Sequence, residues 1–200
     1  LDTFSGESIA GCRVATPASQ VMIYLAMSRK LQVKIKETNG DQNYLYAYKQ
    51  AANFLYAKIE KDLNNGNNDF STVIPYMYLV RHTVELSFKL VLFKHNSNYK
   101  IPNKPAESHN LVFFCNELKS NLGIELDKYP SFLHIAKEID TVDKDGTYFK
   151  YTGDRKQNHQ LKDTVINISD LQELFNKFNN QYMEFVKLYI PELFNPNNAS

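Results

Sequence analysis

The sequence predicts an all-α protein, a bundle of about four to five helices around one central apolar helix. Three observations predict it. The stretch Ser71–Lys94, STVIPYMYLVRHTVELSFKLVLFK, is apolar on nearly every side, as a helix at the centre of a bundle is. Long stretches on either side of it are amphipathic at helical spacing. Turn formers then divide these stretches at short intervals, and short connections favour antiparallel neighbours. No internal repeat interrupts the pattern.

Residues 1–40 form an N-terminal extension, 41–194 the bundle and 195–200 a frayed tail. Leu1–Pro17 is mixed in composition, with Gly6 and Gly11, and predicts an arm or loop. Val21, Tyr24, Leu25 and Met27 suggest a short helix between Ala18 and Arg29. Leu31–Ile35 alternates, and a strand and a helix fit it equally. Asn39-Gly40 marks a turn.

Asp41–Leu63 is an amphipathic helix, with Asp41 as its N-cap candidate and Asn64-Asn65-Gly66 as its stop. Its apolar stripe runs through Tyr44, Tyr48, Ala51, Ala52, Leu55, Ile59 and Leu63. The central helix opens between Thr72 and Pro75, where a proline costs little because its missing N–H would have no partner. His95–Ser108 is a polar loop with two prolines. Ser108 is the N-cap candidate of a helix to about Asn121, with Gly123 as its terminator. Tyr129-Pro130-Ser131 starts the next helix, which turns Phe132, Ile135, Ala136 and Ile139 inward. Asp140–Asn158 is rich in turn formers and predicts a loop, its Thr-Tyr-Phe-Lys-Tyr run being a candidate extended segment. Ser169 with Gln172 matches a capping box for the last helix. That helix carries Leu171, Leu174, Phe175, Phe178, Tyr182, Phe185 and Leu188 on one stripe and stops at Pro191.

A net charge of +1 argues against a strong non-specific grip on nucleic acid, though not against a local basic patch. Cys12 and Cys115 are too few for a disulfide framework, so a reducing, cytoplasmic setting fits. The first twenty residues lack the basic start and apolar run of a signal peptide. The charged strip of the central helix argues against a membrane span. The histidines are scattered without metal-ligand spacing, and no glycine loop, G-x-S-x-G or CxxC motif implies a cofactor.

That strip is the main functional clue. Arg81, Glu85 and Lys89 climb one ridge of the central helix, His82 lies beside Lys89, and Tyr78 falls in the same arc. One reading is a partly buried ion-pair ladder that fixes how helices dock. Another is a site in which Arg81 holds a phosphate, Glu85 orients it and His82 moves a proton, and a third is a strip that binds a nucleotide or other small anion. His109, at the start of a helix, is a second candidate for proton transfer or for a structural hydrogen bond. Arg155 and His159 share a face only if their segment is helical. Tyr148, Lys150 and Tyr151 place aromatics between cations, which fits either stacking on bases or closure of the core's edge.

Three pieces in order, YLVRHTVELSFKLVLF, SHNLVFFCNEL and IDTVDKDGTYFKY, resemble the HEPN superfamily of helical bundles, especially its prokaryotic defence and toxin–antitoxin forms. The likeness spans about Asp41 to Tyr151. It implies a bundle, often dimeric, that acts as an RNA-directed effector or RNA-binding component, in active members a metal-independent endoribonuclease. Arg81, His82, Glu85 and His109 would then carry the chemistry. Lys89, Tyr148, Lys150, Tyr151, Arg155 and His159 would hold RNA. The resemblance equally implies non-catalytic members that dock a partner protein, such as an antitoxin or defence component. In active members four to six residues lie between an Arg and a His; here Arg81 and His82 are adjacent, and Arg155 and His159, with three residues between them, are one residue too close.

Overall fold

A computed structural model describes residues 22–25, 31–34, 41–67, 71–96, 98–102, 105–146, 148–149 and 165–191. Two short strands, β1 (Met22–Leu25) and β2 (Leu31–Lys34), pair antiparallel with Ile23 opposite Val33. The expected helix over Ala18–Arg29 is thereby corrected. Its Met-Ile-Tyr-Leu core is a β-favouring run with a pairing partner six residues on, and pairing outweighs a weak helical pattern. The remaining described chain is helical: α1 (Asp41–Asn64), α2 (Val73–His95), a single turn α3 (Pro105–Ser108), α4 (Leu111–Leu122), α5 (Pro130–Asp140) and α6 (Ile168–Tyr189). A 3-10 turn, Leu126–Lys128, leads into α5.

The central position of α2 follows from its composition. Tyr76, Val80, Val84, Phe88 and Leu92 form one ridge and are essentially inaccessible. The helix packs against α1, α4 and α6, and α5 lies across α4 and α6. Phe88 meets Phe132 of α5 and Phe178 of α6 at ring separations of 5.7 Å, and Tyr129 and Phe185 extend the cluster. Each such ring removed from water contributes roughly 1.5–3 kcal/mol. The hydroxyls of Thr83 and Ser87 donate to the carbonyls of Leu79 and Thr83 one turn back, so they are satisfied within the helix.

A buried amide chain sets register between helices. The Tyr76 hydroxyl donates to Gln172 Oε1 at 2.9 Å, and Gln172 Nε2 donates to Asn53 and Asn176. Gln172 is therefore not half of a capping box. Asn167 caps α6, its side chain accepting from the backbone N–H groups of Ser169 and Asp170. The expected cap of α4 moves likewise from Ser108, which lies in α3, to Asn110, which accepts from Phe113 N. Both corrections have one cause: several cap-forming residues stand within three positions, and side-chain reach chooses among them. Gly123 ends α4 at φ 61, as its sequence position predicts. Cys115 is a buried hydrophobe whose thiol is pushed up by burial.

Three ends of the predicted apolar stripes are not covered. Tyr44 is 55% and Leu188 67% exposed. Leu63 at the end of α1 is exposed as well. Tyr148 and Phe149 lie in a turn rather than an extended segment, and Phe149 closes over the core.

Candidate functional site

Arg81 is 3% exposed, and every nitrogen of its guanidinium faces an acceptor. Nη1 donates to Glu85 Oε2 at 2.5 Å, one turn up α2. Nη2 donates to the carbonyl of His109, in the bend between α3 and α4. Nε donates to the carbonyl of Asp143 at 3.1 Å, in the turn after α5. The Asp143 carboxylate adds its charge, with Oδ2 3.1 Å from Nε but poorly aligned for a hydrogen bond. Its Oδ1 accepts from Tyr148 N, which folds the turn back on itself.

Gly146 completes this enclosure. Its φ is +72, and a Cβ there would stand 2.9 Å from Nη1 and 3.0 Å from Cζ. The backbone thus lies against the guanidinium at a distance only glycine allows.

Glu85 is the second hub. Lys89 Nζ donates to Oε1, and His109 Nδ1 lies 3.0 Å from the same oxygen. Burial alone would raise the Glu85 carboxyl, but the hydrogen bond and charge of Lys89, then the charge of Arg81, outweigh it and hold the group below its ordinary range. Lys89 also stands over the Phe114 ring, 5.1 Å from its centroid. Beside the cluster, the Asp140 carboxylate accepts from the free N–H groups of Leu111 and Val112 at 3.2 and 2.9 Å, covering the start of α4. Burial pushes this carboxyl up to about 6, although both N–H groups and Arg81 pull the other way.

Of the residues singled out in the sequence, the fold gathers Arg81, Glu85, Lys89 and His109. It sends His82 elsewhere. That ring stacks on Tyr78 at 5.5 Å and meets Tyr48 edge-on at 4.6 Å, on the α1 side of α2. Tyr148 contributes its backbone N–H to the Asp143 turn. Lys150, Tyr151, Arg155 and His159 lie outside the described residues. Asp140, Asp143 and Gly146 belong to the cluster and were not singled out. Their one sequence signal is an Asp-rich turn with a glycine in a chain whose central helix carries a lone arginine that needs acceptors.

Among the described residues no group of three or more His, Cys, Asp or Glu side chains is arranged to hold a metal ion. No helix among them is long and apolar enough to cross a membrane. No family model, curated protein or solved structure matches the chain.

Proposed function

We propose that the chain is a non-catalytic, HEPN-like interaction module that docks a partner protein, of the kind found in prokaryotic defence or toxin–antitoxin systems. The observation that carries this reading is the state of Arg81. A ribonuclease of this type needs an arginine that reaches a phosphate and a histidine that moves a proton beside it. Here the guanidinium spends its donors on Glu85 and two carbonyls, behind the backbone of Gly146. His82 points to a different neighbourhood. The cluster's chemistry is that of a clasp, tying α2 to the start of α4 and the end of α5.

A net charge of +1 supports a protein partner over RNA. So does the outer face of α1, where Tyr46 is 52% and Phe54 72% exposed. The test is incubation of end-labelled single-stranded RNA with the purified protein in excess EDTA. The RNA stays intact, and the protein shows no RNA retention for added salt to remove. Cutting by the parent that disappears in a folded Arg81→Ala variant would overturn the reading in favour of a nuclease. Salt-sensitive retention without cutting would favour an RNA-binding component.

A further inference from the structure

α1 rests on α2 through one face, on which Ala52 and Ile59 are buried. Its opposite face is open. There Ala47, Gln50, Phe54, Ala57 and Lys61 follow one another at alternating intervals of three and four, and all five are exposed. That spacing is a single a/d seam, the pattern by which one helix lies along another. Phe54, in the middle of the seam, is 72% exposed, and Tyr46 and Tyr44 on its two flanks are 52% and 55% exposed. Rings grouped along a seam, rather than scattered singly, mark an interaction surface.

The seam is close to its own complement. About a twofold axis at residue 52, an antiparallel second copy sets Ala47 opposite Ala57 and Gln50 opposite Phe54, and symmetry makes each pair occur twice. The alanine pairs let the two helices approach closely, and each Phe54 ring lies along the stem of a Gln50. Charge selects the antiparallel direction. Lys61 falls level with the uncharged Asn43 of the second copy, whereas parallel chains would set Lys61 against Lys61. On the flanks, antiparallel packing brings Lys58 to the ring of Tyr44 and Glu60 to the hydroxyl of Tyr46. The three exposed rings offer about 350 Å² per copy, and with the alanines and the lysine stems the pair buries about 1,000 Å², the lower limit of a specific interface.

We propose that the outer face of α1 is a homodimer seam, on which a second copy of the chain lies antiparallel about residue 52. This rests on the reading that the face docks a protein, and it names the chain itself as the protein docked there. Sedimentation equilibrium of the full chain gives a reversible monomer–dimer equilibrium with a Kd on the order of 10 µM, in keeping with an interface of this size. Phe54→Glu, at an exposed position, puts two carboxylates into the seam and weakens dimerisation by about tenfold or more. Disulfide capture in a Cys12→Ser background reads the direction. Chains carrying Ala47→Cys link to chains carrying Ala57→Cys. Neither variant links to itself, because about ten residues of helix hold like positions roughly 15 Å apart, beyond the reach of a disulfide.

A monomer at about 200 µM would overturn the proposal and leave the docking reading to be judged by the RNA assay. So would a dimer that Phe54→Glu leaves intact, or linkage of either cysteine variant with itself in preference to the mixed pair. If Phe54→Glu fails to fold, the disulfide pattern decides alone.

Discussion

Arg81 and His82 are neighbours in sequence and leave α2 about 100° apart. Arg81 enters a space where backbone carbonyls, a carboxylate and a glycine meet it from three segments of the chain. His82 enters a space walled by the rings of Tyr48 and Tyr78, next to an open groove. On the first side the side chain's partners are fixed by the fold. On the second, aromatic surface is left over. A charged group in a helix is thus no guide to function until its partners are known.

Substitutions sharpen this contrast in order of size. Arg81→Met leaves Glu85 and Asp143 short of a cation in a dry setting, and costs about 3–5 kcal/mol in urea denaturation. A cost near zero would mean that the clasp is not buried as described. Gly146→Ala places a methyl group against the guanidinium at a left-handed φ and costs about 1–3 kcal/mol by the same measurement. Tyr44→Ala, on the groove side, changes stability by about 0.5 kcal/mol or less. If it matched the loss at Arg81, the two faces would not differ in kind.

The pH dependence gives a finer probe of the clasp side. Glu85 has its carboxyl depressed in the folded state, so its contribution is present above pH 4.5 and is lost as pH falls through the lower folded value. Asp140 runs the opposite way. Its carboxyl rises from 3.8 to about 6 on folding, so the folded state holds the proton more tightly and this group's contribution falls as pH rises across that window. Denaturation midpoints followed from pH 4 to 6.5 should therefore climb less steeply in the parent than in Asp140→Asn. Parallel curves would show that Asp140 is not desolvated.

The bundle was legible in the sequence because its signals are local and repeated. The ridge Tyr76, Val80, Val84, Phe88 and Leu92 is buried as its spacing demands, and Phe175, Phe178 and Phe185 of α6 likewise. Local signals fail where neighbours compete, as Ser108 and Asn110 do for the cap of α4, or where tertiary cover runs out, as at Tyr44 and Leu188. The clasp was half legible. Arg81, Glu85 and Lys89 announce themselves by i, i+4 spacing. Asp143 and Gly146 do not, because no periodic pattern links them to an arginine more than sixty positions earlier.

Those separations bear on the order in which the chain acquires its structure. The guanidinium bridges residues 28 and 62 positions further along, whereas only eight residues separate α1 from α2 in sequence. Contacts across long intervening chain carry the larger closure cost and form after local ones. The α1–α2 hairpin then condenses first and the enclosure of Arg81 comes near the end. A loss at Arg81 should speed unfolding far more than it slows folding, so the clasp governs how long the native bundle lasts rather than how fast it appears.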